Sequence, residues 1–354
     1  AGPGRAGDGA HKWPLFLGLM QAAMNKTEQM PLWAAEPAVA PAKTPKARKA
    51  ASPRGLDIEA AVQLVGQHPD YRVLRRLVPR EHWGPAGDVP TSRVLVLDTE
   101  TTGLDARQER VIELALLSVQ VDRESGQPVG PVQTYTAFED PGKPIPAAIQ
   151  DLTGIDDSMV RGQRIDDDRV QALVQQADLV VAHNAGFDRP FVEQRLPVFA
   201  GCAWACSFAG IDWKREGRGS SKLEFLAGEA GWFYDAHRAL VDCHALLQVL
   251  ALPLSDGRTG LQRLLAQAKG VRFKLQALGA PFESKDSLKA RGYRWDSEAR
   301  VWWTALHAQE ALDQECLWLK SSVYGGRSAR VRLEAQDARV QFSARDGSIS
   351  ERMV

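Results

Sequence analysis

Acidic side chains recur at three places in the sequence, each beside a regular apolar pattern. Asp98 and Glu100 end the apolar run of VLVLDTE, and residues two apart on a strand lie on the same face. Asp188 follows a second apolar run, and Asp242 lies in a segment with the spacing of a helix. Carboxylate oxygens are hard ligands that suit Mg²⁺ or Mn²⁺ better than zinc. The four acids therefore predict a site for divalent cations.

A histidine accompanies the last acid. His237 lies five residues before Asp242, on the loop that leads into the predicted helix. An imidazole with the ordinary pKa of about 6.5 can accept a proton from water near neutral pH. Two divalent ions about 3.5–4 Å apart lower the pKa of water and stabilise the leaving oxygen in phosphodiester hydrolysis. Each acid alone has a simpler explanation, such as a strand-end cap, but the combination favours metal-dependent hydrolysis.

The segments around these residues resemble the three motifs of the DEDD exonuclease superfamily, histidine subclass. DTETTGLD at 98–105, HNAGFD at 183–188 and the His-x4-Asp spacing at 237–242 carry the resemblance, which covers about residues 93–254. PIPAAIQDLTGI at 144–155 is similar to the segment between the first two motifs of that family. The family includes the epsilon proofreading subunit of bacterial replicative DNA polymerase.

This resemblance implies an α/β, ribonuclease-H-like exonuclease fold, with a five-stranded mixed sheet flanked by helices. It also implies two Mg²⁺ or Mn²⁺ ions bound by the four acids, His237 as general base, and stepwise release of nucleoside monophosphates from a 3′ end. The loop after the first motif, with Thr101, Thr102 and Leu104, is implied to hold the terminal nucleotide. The turn before the helix of the second motif, with His183 and Asn184, is implied to line the substrate site.

Composition excludes several other classes of protein. The 44 basic residues balance the 44 acidic ones, so any surface for nucleic acid must be local. The four cysteines include no Cys-x2-Cys pair, which favours reduced thiols over a zinc site. No apolar run reaches the roughly 18 residues of a membrane span, and the short apolar run at 13–24 is a poor signal peptide. We therefore expect a cytoplasmic protein with no membrane partner.

The pattern along the chain predicts five parts. The first is a disordered low-complexity tail with a basic stretch, and the second is a short segment in which Pro69 separates two helices. The exonuclease domain and a small basic-aromatic α+β module follow, and the last part forms either a hairpin or a frayed end. The predicted bounds are 1–54, 55–88, 89–256, 257–325 and 326–354.

The module contains basic residues interleaved with aromatic ones. Tyr293, Trp295, Trp302 and Trp303 lie on a predicted hairpin, next to several lysines and arginines. Such a pattern suits base stacking and phosphate contact, but a small module also needs aromatic residues for its core. In a hairpin, Trp295 and one of the paired tryptophans would face inward. Both interpretations stay open for this module.

Together these features predict a bacterial 3′→5′ exonuclease that acts on the 3′ end of DNA, with single strands favoured. Repair or proofreading is the expected role, with a polymerase or repair protein as partner. Two alternatives remain, namely an exoribonuclease that trims RNA and a non-catalytic nucleic-acid-binding protein. The five intact groups argue against the second alternative. We expect a fragment of residues 88–256 to keep catalysis, and residues 271–325 to strengthen binding to long single strands.

Overall fold

The computed structural model describes residues 57–85 and 87–354, so the predicted tail at 1–54 lies outside the described part. The chain divides into two units at Val73. The described part of the first unit contains helix α1 (Ile58–Gly66). Asp57 begins this helix, because its carboxylate accepts hydrogen bonds from the amides of Glu59 and Ala60.

The second helix predicted within 55–88 is wrong. After α1 the chain forms two short strands, β1 (Arg75–Arg76) and β2 (His82–Trp83). Pro69 and Pro79 leave only a short segment between them, and a helix that short is marginal unless tertiary packing supports it. Strand β1 pairs in parallel with the later strand β8 (Trp232–Phe233).

A six-stranded mixed sheet forms the centre of the second unit, in the order β2-β5-β4-β3-β6-β7. The strands not yet given are β3 (Thr91–Thr101), β4 (Val111–Asp122), β5 (Pro128–Phe138), β6 (Leu179–Ala182) and β7 (Trp204–Cys206). Strands β3, β4 and β5 are antiparallel neighbours, whereas β6 is parallel to both β3 and β7. The predicted mixed sheet is confirmed, with β2 as a sixth strand at its edge.

Helices cover both faces of this sheet. They are α2 (Ala147–Thr153), α3 (Asp157–Val160), α4 (Asp167–Gln175), α5 (Ala185–Arg195), α6 (Ser207–Gly210), α7 (Leu223–Glu229), α8 (Ala239–Leu250) and α9 (Gly260–Gln267), with a 3₁₀ turn at Pro197–Gly201. Strand β3 contributes to both cores: Val94 and Val96 pack on the side of α8. Leu95 and Leu97 pack on the side of α5. This alternation is what a central strand buried on both faces requires.

A second, five-stranded sheet lies at the C-terminal end, in the order β10-β11-β9-β12-β13. Its elements are β9 (Arg272–Ala277), α10 (Lys285–Ala290), β10 (Arg294–Asp296), β11 (Val301–Leu306), α11 (Gln309–Trp318), β12 (Arg330–Gln336) and β13 (Ser348–Met353). A 3₁₀ turn at Phe282–Ser284 and a π-helical turn at Leu319–Val323 flank the helices.

The predicted boundaries of this module differ from the structure at both ends. The predicted hairpin within 326–354 is present, because β12 pairs antiparallel with β13. These residues are not a separate tail, however, since β12 also pairs with β9 and packs Val331 and Leu333 into the module core. Helix α9, predicted to begin the module, packs Leu261 and Leu264 into the core of the main sheet instead. This helix contacts α6, β7 and α8.

The module's aromatic residues divide between its core and its surface. Tyr293 is buried, and Trp302 packs against the same core. Trp295 lies directly opposite Trp302 and is 48% exposed. Trp303 points to the other face of the sheet, where Lys274 Nζ and Arg294 Cζ lie 5.3 and 5.6 Å from its ring centre.

Two bulk features complete the description. In the part of the chain that the structure describes, no helix is long and apolar enough to cross a membrane. All four cysteines lie within the described residues and are free thiols.

Candidate active site

Three of the predicted acids meet where β3 ends. Asp98 and Glu100 point from β3 toward α8, and Asp242 reaches them from the first turn of that helix. One carboxylate oxygen from each of the three lies within 4.8 Å of the others. The two-residue spacing on the strand produces this arrangement, because it puts both β3 acids on the face that α8 covers.

Asp188 lies near these three acids, on the opposite face of the sheet, but it is not one of the residues whose oxygens lie within 4.8 Å of one another. It lies in the first turn of α5, directly after β6, and is buried. Its Oδ1 accepts hydrogen bonds from the amide of Thr99 at 3.1 Å and from Thr99 Oγ1 at 2.8 Å. Thr99 lies between the two β3 acids, so this pair of bonds fixes Asp188 to the strand that carries them.

Burial raises the pKa values of all four acids, and neighbouring acids raise those of Asp98, Glu100 and Asp188 further. Burial is the largest cause for each, and it raises the pKa of Glu100 to about 8 and that of Asp188 to about 7. Burial raises the pKa of Asp242 to about 6, although a hydrogen bond from Tyr234 and the charge of His237 act in the opposite direction. Burial and the neighbouring acids also raise the pKa of Asp98 well above its usual range.

This clustering of acids fits divalent cations. Raised pKa values mean that the surroundings do not balance the negative charge of the ionised carboxylates. Bound cations would supply the balance, and oxygen-only donors are those that Mg²⁺ and Mn²⁺ prefer. Asp98, Glu100, Asp188 and Asp242 are therefore the residues that could hold them.

His237 lies on the loop before α8, where the sequence predicts it. Its side chain is exposed, and its backbone has a positive φ of 64°. The next residue anchors the loop, because the Arg238 amide donates to Asp242 Oδ2 at 3.1 Å. The imidazole is thus free to face solvent or substrate while the backbone beneath it is held.

Sequence reasoning missed two residues of this site. Glu113, on β4 directly opposite Glu100, is only 3% exposed and accepts hydrogen bonds from the Arg238 guanidinium and the Ala239 amide. Tyr234 donates its hydroxyl to Asp242 Oδ1 at 3.1 Å. A lone acid within the apolar run VIELALL was an available signal for Glu113, because burying a charge is costly unless it is paired. Tyr234 had no comparable signal.

The loop after β3 is held by its own side chains. Thr101 Oγ1 donates to the Gly103 carbonyl at 2.7 Å, and Thr102 Oγ1 donates to Glu109 Oε2 at 2.5 Å. Both threonines are buried, whereas Leu104 is partly exposed. The loop is therefore preorganised, and its contact with a terminal nucleotide stays a prediction.

The turn between β6 and α5 is also held in place by hydrogen bonds of its own side chains. His183 Nε2 donates to the Ser221 carbonyl at 2.9 Å, so Nδ1 is left to accept from the Ser207 hydroxyl at 2.7 Å. Burial lowers the pKa of His183 to about 4, which keeps the ring neutral. Asn184 adopts a left-handed φ of 82° that turns the chain into α5. These two residues shape the turn, and their contact with substrate also stays a prediction.

Comparison with known proteins concerns the domain that contains these residues. The family model RNase_T, described as an exonuclease, matches residues 95–250. The chain is also similar to the PolC-type DNA polymerase III of Listeria innocua, with 39% identity over 103 residues, and to that of Bacillus subtilis, with 36% identity over 100 residues. These alignments span 27% and 28% of this chain but only 6% of each polymerase.

Solved structures provide two further similarities. Exonuclease X in complex with 5′-overhanging duplex DNA aligns with 48% of this chain and 99% of its own, at 21% identity and a TM-score of 0.35. Escherichia coli exonuclease I in complex with single-stranded DNA and zinc aligns with 61% of this chain and 63% of its own, at 16% identity and a TM-score of 0.40.

Proposed function

We propose that residues 95–250, which match an exonuclease family model, form a DEDD-type 3′→5′ exonuclease domain that shortens DNA from the 3′ end by a two-metal mechanism. The observation that carries the proposal is the cluster of Asp98, Glu100 and Asp242, with their oxygens within 4.8 Å of one another. Such a cluster is unfavourable without cations, and it lies inside the matched domain.

Each residue has a defined part in this mechanism. Bound divalent cations would supply Lewis-acid polarisation of the phosphate and a lowered pKa for water. Asp98, Glu100, Asp188 and Asp242 would hold those ions. His237 accepts the proton of the attacking water from its exposed position on the loop before α8. The preorganised loop of Thr101, Thr102 and Leu104, with the turn at 183–184, orients the terminal nucleotide.

The test of polarity and metal dependence uses matched strands. Purified full-length protein is incubated with 5′-labelled and 3′-labelled single strands of DNA and of RNA, with Mg²⁺ or with EDTA. We expect a ladder of shortened 5′-labelled products, immediate release of a mononucleotide from 3′-labelled strands, and no cleavage in EDTA. Full activity in the chelator would contradict the two-metal mechanism, and internal cleavage would contradict exonuclease action.

The site assignment has its own test. Asp98→Ala and Asp188→Asn should each lower turnover by at least about 10³-fold, since a catalytic metal supplies several kcal/mol of transition-state stabilisation. Asp168→Asn is the matched control, because Asp168 is an exposed acid on α4. Steady-state turnover and circular dichroism of the three variants would separate lost chemistry from lost folding. A site variant that keeps a tenth of wild-type turnover would contradict the assignment.

DNA is proposed as substrate because the chain is similar to PolC-type DNA polymerase III over 103 residues. By the same similarity we propose a repair or proofreading role, with a polymerase or repair protein as partner in the cytoplasm. Trimming of RNA is the alternative. Faster removal of mismatched than of matched 3′ termini would support proofreading, whereas a strong preference for RNA strands would favour the alternative.

A further inference from the structure

Arg189 follows the candidate metal ligand Asp188 on α5 and is completely buried, with 0% of its surface exposed. Its guanidinium donates to three backbone carbonyls in the segment that joins β12 to β13, residues 337–347, which we call the β12–β13 connection. The acceptors are the carbonyls of Ala338 at 3.3 Å, Gln341 at 2.5 Å and Arg339 at 2.5 Å. A buried arginine is tolerated only where its donors are satisfied, and here the distant module satisfies them.

A second layer of contacts surrounds this arginine. Glu193, one turn further along α5, accepts from Arg189 Nε at 2.7 Å and from the Ser343 hydroxyl at 2.6 Å. Arg345 donates to Glu193 at 3.2 Å and to the Ala200 carbonyl at 2.7 Å. The β12–β13 connection is thus attached to α5 at several points along one helical face.

The same connection also attaches to the main sheet. The amide of Trp204, the first residue of edge strand β7, donates to the Ala338 carbonyl at 2.7 Å. The guanidinium of Arg189 lies 5.2 Å from the centre of the Trp204 ring. Arg189 therefore joins helix, edge strand and connection in one buried network.

We propose that Arg189 is a positioning residue, through which the C-terminal module fixes α5 and with it the carboxylate of Asp188. This inference rests on the proposed role of Asp188 as a metal ligand. Asp188 is held to β3 only if α5 keeps its place, because its bonds to Thr99 span from the helix to the strand. Residues that orient metal ligands commonly change metal affinity about 10- to 100-fold when substituted.

The test compares two arginines of the same helix. Arg195 also lies on α5, but its ion pairs go to Glu139 and Asp167 of the main domain. Arg189→Met, Arg189→Lys and the control Arg195→Met are made in the full chain, and Mn²⁺ binding is measured by calorimetry without nucleic acid. We expect Mn²⁺ to bind at least about tenfold more weakly to Arg189→Met. Arg189→Lys should give a smaller loss of affinity than Arg189→Met. Its ammonium keeps a donor for the carbonyls, although it cannot reach all three of them. Arg195→Met should bind as the wild type does.

Hydrogen exchange provides a readout that simple destabilisation would not move. Metal binding and docking of the β12–β13 connection are reciprocal if they are coupled, so Mn²⁺ should slow exchange of the amides at 338–341 in the wild type. The same amides should be insensitive to Mn²⁺ in Arg189→Met.

The outcomes separate this inference from the proposed function. Wild-type protein that binds no Mn²⁺ would overturn the metal site and this inference together. Wild-type binding with equal binding by Arg189→Met would overturn the positioning role alone. Should Arg189→Met fail to fold, Arg345→Ala takes its place, since it loosens the connection and leaves Arg189 intact. It should show the same weakening in milder form, and wild-type Mn²⁺ affinity there would count against the proposal.

Discussion

At the scale of single residues, the raised pKa values of the clustered acids determine how stability depends on pH. The folded protein holds protons on Glu100, Asp188 and Asp242 up to about pH 8, 7 and 6, whereas ordinary carboxyl groups release them near pH 4. Their contribution to the free energy of unfolding is therefore complete below about pH 4 and is lost as pH rises through 6–8.

The first prediction concerns the metal-free protein. Its free energy of unfolding should contain a term that falls by more than about 1 kcal/mol between pH 5 and pH 8.5, since one pKa unit corresponds to about 1.4 kcal/mol. Glu100→Gln should flatten this dependence, and Mg²⁺ should stabilise the wild type more at pH 8.5 than at pH 5. Denaturant unfolding in EDTA checks each point. Identical pH profiles for wild type and Glu100→Gln would speak against the electrostatic interpretation.

The second prediction concerns the general base. His237→Ala should lower the single-turnover rate about 10²- to 10⁴-fold, the usual range for a lost base. Affinity for the strand should be unchanged, because the acids and the loop at 101–104 remain. His68→Ala is the control, since His68 is an exposed histidine of the first unit. Rapid-quench experiments measure the single-turnover rates of the wild type and both variants. A wild-type rate for His237→Ala would assign proton transfer to another group.

The sequence could predict the acids of this site because local geometry places them. The two-residue spacing of Asp98 and Glu100 needs only an extended strand, and Asp188 and Asp242 need only the first turn of a helix. Glu113 could not be assigned in the same way, because its role depends on pairing with Arg238, 125 residues away. Contacts of that kind arise from tertiary packing and leave no local pattern.

At the scale of elements, the strands also divide into those that a local sequence pattern predicts and those that depend on tertiary packing. Strand β3 was predictable because its continuous apolar run is typical of a strand buried on both faces. Strand β2 has only two residues, too few for a pattern. Strand β12 alternates buried and exposed residues only over its first four positions, which is too short a pattern to predict a strand from sequence. Its pairing with β9 is what identifies it as part of the sheet.

The third prediction concerns the outer face of the module's sheet. Trp303 lies there with the cations of Lys274 and Arg294 over its ring, so a strand that stacks a base on this ring would bring its phosphates to the two cations. Trp303→Ala should weaken binding of long single strands about tenfold, since one stacked base is worth about 1–3 kcal/mol. Filter binding or fluorescence anisotropy over a range of salt concentrations measures both affinity and its salt dependence.

Two comparisons sharpen that measurement. Ile349→Ala is the control, because Ile349 is an exposed residue on the same face of the sheet. Lys274→Gln should reduce the slope of affinity against salt concentration, because it removes a phosphate contact. Equal affinity and equal slope for wild type, Trp303→Ala and Lys274→Gln would indicate that this face does not bind the strand.

At the scale of the whole molecule, the exonuclease domain depends on residues beyond its family match. A fragment of residues 88–256 contains every catalytic candidate, but it lacks α9 and the β12–β13 connection. Leu261 and Leu264 of α9 complete the core beside α8, and the connection satisfies Arg189. The sequence-based expectation that this fragment keeps catalysis is therefore revised.

The fourth prediction follows from that dependence. Fragment 88–256 should melt at least about 10 °C below the full chain and lose turnover, because a missing core helix and an unsatisfied arginine each cost several kcal/mol. Fragment 74–354, which is the second unit alone, should keep both properties. Calorimetry and the labelled-strand assay test both fragments. Equal melting temperatures for 88–256 and 74–354 would show that the C-terminal residues do not support the domain.

The attachment of Arg189 to the β12–β13 connection also bears on how the molecule folds. The bond to Ala338 closes a loop of 149 residues, which makes it one of the long-range contacts that slow the search for the native state. Strands β3 and β4 are neighbours in the chain and can pair early, so Asp98, Glu100 and Glu113 can assemble before Asp188 is fixed. During refolding the enzyme should therefore pass through a stage with most of its secondary structure but an incomplete metal site, and catalytic competence should be the last property to return.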